Sequence, residues 1–455
     1  MVKPANKLRV LIKNGRIIDP SQNHDALGDL LIEDGKIAAM DAPGKIPETR
    51  DGRTASVIDA EGLWVLPGLI DIHVHLREPG FEYKETIETG GKAAVAGGFT
   101  SVACMANTLP VNDNIQTTVF IRDKAKAVAP CRVFPIGAVT VGLKGLELAD
   151  ISGMVKEGIC AISDDGMPVI NSQIMRRAME VAKEHGIPVI SHAEDPTLVN
   201  HGVMNEGRVS TDLGLHGNPA AAEEIMVARE IALCRLTRSP VHIAHISTEV
   251  AIEHLRRARQ DGLPVTAEAC PHHLFLSEEN IRGPKGSKSP NRNDTAFKMA
   301  PPLRTQRDLQ ALRKALAEKL VTIIATDHAP HGPIDKNQEF ALAANGIIGL
   351  QTAAPLTLGL VHQGILSPSH WVETMTLSPA RLLNLPHGSL AVGREADVTL
   401  IHPNQEWTLT ESDIVSKSHN SPFFGWKFKG KVAATLVGGK IVYRPEDSKL
   451  RKALP

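Results

Sequence analysis

The residues best able to do chemistry stand in Asp71-Ile72-His73-Val74-His75-Leu76-Arg77-Glu78-Pro79-Gly80. An apolar run, Leu63 to Ile70, precedes them, so the stretch reads as the C-terminal end of a buried strand. Side chains on a strand alternate faces, which points His73 and His75 the same way. Two imidazoles side by side at a strand end can share one metal ion. Arg77 continues that face if the strand geometry persists, and offers a planar cationic fork for a carboxylate. An isolated His-x-His is more often a plain pair near a turn, but other positions in this chain argue against that reading. Asp164 and Asp165 precede Gly166, and His192 lies in Ser191-His192-Ala193-Glu194-Asp195. His245 closes His242-Ile243-Ala244-His245, and Asp327 lies in Thr326-Asp327-His328-Ala329-Pro330-His331. Each falls at the end of a strand candidate. Buried together without a cation, these imidazoles and carboxylates would leave unpaired charge at a cost of several kcal/mol. Nitrogen and oxygen donors without sulfur suit zinc, and manganese or cobalt would fit too. The donors exceed one tetrahedral ion, which points to two ions sharing a bridging group.

The elements that must position these residues alternate between apolar strands and helical stretches from Leu66 onward. Strand candidates cover 69–75, 100–107, 132–138, 158–165, 188–194, 241–246, 265–272 and 321–327. Helical patterns cover 84–96, 172–185, 220–236, 249–259 and 306–317. That alternation predicts an α/β fold, a TIM-like (β/α)8 barrel, with polar residues gathered at the strand ends where such barrels do chemistry. Short strands flank it on both sides. Before Leu66, the turn signals Asn14-Gly15 and Glu33-Asp34-Gly35 predict two hairpins. After Leu382, 388–390, 397–401, 432–437 and 440–443 read as strands, with Gly438-Gly439 as a hairpin turn. The expected organisation is a barrel over 66–385 and one β domain assembled from 1–65 and 386–455, with a loose polar tail after Arg444.

Composition narrows the function classes. With 42% hydrophobic residues in 455, a large core is available. Lys plus Arg is 50 and Asp plus Glu is 51, a net charge of -1, which argues against nucleic acid or an anionic membrane as partner. Cys104, Cys131, Cys160, Cys234 and Cys270 are dispersed, so neither a disulfide framework nor a thiolate zinc site is suggested. Free thiols suit a reducing cytoplasm. Met1 to Val10 lacks the apolar core of a signal peptide, and no apolar run is long enough to span a bilayer.

Taken together, the chain resembles the class I dihydroorotases of the amidohydrolase superfamily. The resemblance is carried by Asp71–Gly80, by Met105-Ala106-Asn107-Thr108, by Ser163-Asp164-Asp165-Gly166, by Thr326–His331 and by Gly346-Ile347-Ile348-Gly349-Leu350. The late stretch Ser416–Phe423 also resembles that family's C-terminal module. The resemblance implies a barrel flanked by a β-sandwich and the zinc-dependent, reversible cyclisation of N-carbamoyl-L-aspartate to dihydroorotate in pyrimidine synthesis. It assigns His73, His75 and Asp327 to one ion and His192 and His245 to another. Many relatives bridge the ions with a carboxylated lysine. Residues 158–166 hold no lysine, so the resemblance moves the bridge to Asp165, with Asp164 as a turn residue. The ligand set itself points to Asp327 as the proton shuttle, a general base turned acid. The resemblance gives Arg77, Asn107, His331 and the backbone at Asn345-Gly346 to the substrate. Ala300 departs from the pattern, standing where the family has a ring-contacting asparagine before Pro-Pro-Leu-Arg. Asn291, Arg292 or Asn293, in the basic segment 283–293, would be the nearest compensation, although a solvated loop is the plainer reading. The expected cofactor is Zn2+, one or two ions per subunit. The expected partners are a small-molecule substrate, a second copy of the chain and aspartate carbamoyltransferase. Competing readings are a hydantoinase or allantoinase, and a non-catalytic relative that scaffolds the transferase.

Overall fold

A computed structural model describes residues 8–50, 52–283 and 294–446. The segment containing Asn291, Arg292 and Asn293, and the tail beyond 446, lie outside the described residues. Strand Arg9–Asp19 pairs antiparallel with His24–Glu33, which pairs in turn with Lys36–Asp41. The second of these junctions is the expected hairpin. Asp34 and Gly35 both take left-handed backbone, with φ of 52° and 83°, the twist that two-residue hairpins need. The first expected hairpin is absent. The strand runs straight through Asn14-Gly15, where its register slips between Ile12 and Gly15. Asn14 has φ 62° and its N–H donates to Asp29 Oδ1 at 2.9 Å, so the pair forms a bulge rather than a turn. A Cβ at Gly15 would stand 2.4 Å from Val65 Cγ2, which excludes larger residues there. The chain reverses instead at Pro20–Gln22, with Asn23 left-handed after it.

Both chain ends share one eight-stranded sheet. Its order is Lys440–Tyr443, Lys427–Val437, Val398–Thr408, Trp64–Pro67, Arg9–Asp19, His24–Glu33, Lys36–Asp41, and Ser56–Asp59 also pairs with Arg9–Asp19. Val10, Ile12, Leu30, Val65, Leu400 and Leu436 are buried together on it. Residues 388–390 are not a strand. The Leu390 N–H is taken by Asp19 Oδ2 at 2.8 Å, a side chain rather than a ladder partner. Asp397 ties this sheet to the middle of the chain. It receives Arg132 Nε at 2.8 Å, and its carbonyl accepts the Gly68 N–H at 2.9 Å.

The middle of the chain holds two parallel sheets. Leu69–Val74, Phe99–Cys104 and Arg132–Pro135 form one; Val189–Ser191, Val241–Ile243, Val265–Ala269 and Ile323–Ile324 form the other. Single parallel bridges link Gly137 to Ile162, Ile162 to Val189, and Val74 to His328. The expected strand 158–165 is thus reduced to two isolated bridges at Ile162. Its neighbours include Pro135 and Pro188, which have no N–H to donate, so its ladder is thin. Ile70, Ile72, Ala103, Ile136, Ala161, Ile190, Ala244 and Ile323 fill the space between the parallel strands.

Helices Ile87–Ala96, Ser172–Glu184, Ala221–Thr237, Glu249–Gln260 and Gln306–Ala317 fall where the apolar spacing predicts. Ser172–Glu184 buries Met175, Ala178, Met179 and Ala182, one face at helical spacing. Their starts are written locally. Thr86 and Thr89 make a reciprocal capping box, as do Thr305 and Asp308, and Thr248 caps Glu249–Gln260 through the Ala251 N–H.

Candidate metal centre and substrate pocket

The strands deliver their donors at the C-terminal ends. His73 is in Leu69–Val74, and His75 follows directly. His192 is the next residue after Val189–Ser191; His245 comes two residues after Val241–Ile243, and Asp327 three after Ile323–Ile324. His245 and Asp327 have left-handed φ values of 32° and 48°. Such backbone is costly for residues with a Cβ and is typical of side chains re-aimed at functional sites. The strand stops at Val74, so Arg77 does not reach the site by strand alternation. A turn with Arg77 at φ 65° brings it there, and its Nε donates to the Pro330 carbonyl at 3.1 Å.

Donor atoms converge closely. His75 Nε2 lies 3.0 Å from Asp327 Oδ1 and 3.4 Å from Asp165 Oδ2. His73 Nε2 lies 3.4 Å from Asp165 Oδ1 and 3.5 Å from Asp327 Oδ1. Asp165 Oδ1 is also 3.5 Å from His192 Nδ1 and 3.6 Å from His245 Nε2. Four donors about 2.0–2.1 Å from a tetrahedral zinc stand roughly 3.3–3.4 Å apart, so this spacing fits ligation. His73 Nε2 and Asp165 Oδ1 are buried without a hydrogen-bond partner among the described residues, as ligand atoms would be. The local field favours positive charge. Burial pushes His73 and His192 down, but Glu268, Asp165 and Asp327 raise His73 well above its usual value, and Asp165 and Glu194 raise His192 to about 10. Against its own burial, Asp165 is held well below the carboxylate range by His73, His192 and His245.

Neighbouring groups orient the donors. Glu268, fully buried in Val265–Ala269, binds His73 Nδ1 at 2.5 Å and His242 Nε2 at 3.1 Å, and accepts the His245 N–H at 3.2 Å. Asn107 Oδ1 meets His75 Nδ1 at 2.8 Å. Glu194 lies 3.4 Å from His192 Nε2 and accepts from Asn218 at 2.7 Å. Such partners fix which ring nitrogen is free to ligate. Sequence reasoning missed Glu268 and Glu194. The signal for Glu268 was a charge flanked by alanines inside a buried strand. Asp164 is a turn residue, accepting the Val139 and Thr140 N–H groups at 2.7 and 3.1 Å. A further group, Cys270, His272 and His273, brings buried donor atoms within 4.8 Å of one another, a cluster that sequence reasoning also overlooked.

Above the donors lies a cavity of about 370 Å³. Its floor includes His75, Asp165, His192 and Asp327; Arg77, Asn107, His331, Asn345 and Gly346 stand around it, with Ala300. His331 is pushed down to about 2 by burial and by the charges of Arg77, Lys84 and Lys336. As a neutral ring it donates from Nε2 to the Asn345 carbonyl at 2.8 Å and accepts at Nδ1 from Lys84 Nζ at 3.2 Å. Burial lowers Arg77 only to about 10, so its guanidinium stays charged at neutral pH.

The fold matches that of the hydantoinases. L-hydantoinase (dihydropyrimidinase) from Arthrobacter aurescens superposes with a TM-score of 0.84 at 24% identity, over 96% of each chain. D-hydantoinase from a Thermus species does so with a TM-score of 0.80 at 24% identity, over 98% of this chain and 97% of that one. A family model described as dihydro-orotase-like matches residues 62–251. The dihydroorotase of Syntrophotalea carbinolica is 51% identical over 440 residues, covering 97% of this chain and 100% of the relative. That of Geobacter metallireducens is 49% identical over 437 residues, covering 96% and 100%. Fold and relatives define an enzyme that hydrolyses cyclic amides. Within that class, the chain belongs to the dihydroorotase family. No helix among the described residues is long and apolar enough to cross a membrane.

Proposed function

We propose that this protein catalyses the reversible cyclisation of N-carbamoyl-L-aspartate to (S)-dihydroorotate, the ring-closing step of pyrimidine synthesis, as a class I member of its family. The observation that carries the reading is the set of nitrogen and oxygen donors spaced 3.0–3.6 Å apart beneath a cavity walled by Arg77, Asn107 and His331. His73, His75 and Asp327 would hold one ion, His192 and His245 a second, and Asp165 would bridge them. Zinc suits this donor set, as one or two ions. When bound, such ions would supply Lewis-acid polarisation of a ring carbonyl and a lowered pKa for the attacking water. In hydrolysis, Asp327 Oδ2 takes the proton of the attacking water while Oδ1 faces the two imidazoles. The carbonyl carbon gains that oxygen, its bond to the ring nitrogen breaks, and Asp327 returns the proton to the nitrogen. Cyclisation reverses these steps. Arg77 binds the substrate carboxylate and sets the attack geometry, with Asn107, neutral His331 and the Asn345-Gly346 backbone around the ring.

Dihydroorotate hydrolysis, assayed with and without zinc beside elemental analysis, tests the reading. Turnover of hydantoin or allantoin in place of dihydroorotate would refute it. That alternative rests on Ala300, which lines the cavity and has no side-chain hydrogen bond to offer a ring. A non-catalytic scaffold for aspartate carbamoyltransferase would need no zinc, so a metal-free protein without turnover would favour it. We also read the two parallel sheets and their linking bridges as one (β/α)8 barrel over 66–385, flanked by a β-sandwich from 1–65 and 386–455, in a cytoplasmic homo-oligomer that associates with the transferase.

A further inference from the structure

The segment 341–346 carries Asn345 and Gly346 to the cavity wall without a helix or strand of its own. Its carbonyls therefore need partners from elsewhere. Two buried lysines supply most of them, while His331 Nε2 donates to the Asn345 carbonyl at 2.8 Å and Asn420 Nδ2 also donates to that of Gly346 at 3.1 Å. Lys298 Nζ donates to the Ala341 and Ala343 carbonyls at 2.9 and 2.7 Å. Lys336 Nζ donates to Ala344 at 2.8 Å, to Gly346 at 3.1 Å and to the Lys298 carbonyl at 3.4 Å. That Lys298 carbonyl also accepts the Gly346 N–H at 2.9 Å. Lys298 stands two residues before Ala300, so these bonds join two parts of the cavity wall.

The lysines are only 4% and 6% exposed, and the acceptor in each of these bonds is main-chain oxygen rather than a carboxylate. An apolar side chain would fill the same space without burying a cation, but would take these donors from the Ala341, Ala343 and Ala344 carbonyls. Burial lowers Lys298 to about 8. Lys336 goes down to about 7, through burial and the charge of Lys298, opposed by Asp294 and Asp335. Gly346 leaves no slack in the segment. Its φ is 126°, and a Cβ there would stand 2.5 Å from Ala329 Cβ.

We propose that Lys298 and Lys336 are positioning residues for substrate recognition, holding the main chain of 341–346 so that Asn345 and Gly346 face the substrate ring. Neither lysine lines the cavity itself. The proposal rests on the dihydroorotase reading only for the identity of the ring. Hydrogen exchange of the Ala343, Ala344 and Gly346 amides, followed by mass spectrometry in the full chain, is measured for wild type, Lys336→Met and Lys298→Met. Steady-state kinetics with dihydroorotate and zinc content are measured beside it. The wild-type segment should be protected well beyond the free-peptide rate. In Lys336→Met these amides should exchange about tenfold faster or more, and KM should rise about tenfold, with kcat and zinc content close to wild type. Unprotected wild-type amides would overturn the proposal even if both variants failed to fold. So would exchange and KM in the variants equal to wild type. Wild-type protein inert toward dihydroorotate would refute the proposed reaction, and the exchange comparison would still decide the role of the lysines.

Discussion

Replacing Glu268 with glutamine asks whether the histidine and aspartate cluster is built to hold a cation. The carboxylate is fully buried and binds His73 Nδ1 at 2.5 Å, His242 Nε2 at 3.1 Å and the His245 main-chain N–H at 3.2 Å. Accepting from His73 Nδ1 keeps the proton on that nitrogen and leaves Nε2 free to face Asp165 and Asp327. Glutamine preserves the shape, but its amide nitrogen can only donate. That nitrogen either opposes the His73 Nδ1–H or turns toward His242, whose proton must then move to Nδ1 beside Thr266 Oγ1, and the negative charge opposite His73 is lost. A hydrogen bond to a charged group contributes about 1.5–3 kcal/mol. Removing the partner that orients a ligating histidine typically weakens metal binding about 10- to 100-fold, which is roughly 1.4–2.7 kcal/mol. Both routes give the same expectation: Glu268→Gln binds zinc about 10- to 100-fold more weakly. Competition with a chelating indicator at fixed pH measures this, and thermal melting in parallel separates lost affinity from lost fold. A folded variant whose zinc affinity stays within about twofold of wild type would refute the orienting role.

Three other outcomes follow from the same geometry. Asp327→Ala should lower kcat by about 10²–10⁴ while the melting temperature stays close to wild type; near-normal turnover would remove Asp327 as the proton shuttle. Arg77→Met should raise KM for dihydroorotate about 10- to 100-fold with zinc content unchanged, and an unaltered KM would argue against the carboxylate anchor. Asp397 concerns stability. Burial pushes it up, but His387 and Arg132 outweigh burial and hold it down to about 2. A carboxyl depressed below its unfolded value of about 3.9 adds stability above that pH and loses it as pH falls toward 2. Asp397→Asn should therefore cost about 2 kcal/mol in urea unfolding at pH 7 and progressively less between pH 5 and 2. No difference at pH 7 would contradict the assignment.

Local pattern was sufficient for several parts of the fold. The helices were legible because burying one face imposes helical spacing, while the caps at Thr86, Thr248 and Thr305 that fix their first residues were read only in the structure. The Asp34-Gly35 hairpin was legible because few residues accept left-handed backbone in succession. Asn14-Gly15 carries the same local signal and is a bulge instead, because His24–Glu33 lies beside the strand on both sides of it. The strand expected over 158–165 thinned to two isolated bridges at Ile162, since prolines on its neighbours withhold donors, a fact visible only once those neighbours are known.

Residue chemistry along the chain identified which side chains are able to ligate, since imidazoles and carboxylates at strand ends are recognisable one segment at a time. Which atom faces which is another matter. His73 meets Glu268 across 195 positions, and His75 meets Asp327 across 252. Arg77 enters the pocket by a turn where strand alternation would have carried it by another path. Lys298 and Lys336 look like ordinary surface lysines in the sequence and are buried because 341–346 folds back over them. Periodicity records the average environment of a side chain. A hydrogen bond depends on tenths of an ångström between segments that only the closed chain brings together, and for that reason the partners of the orienting carboxylates and of the lysine pair appear in the structure alone.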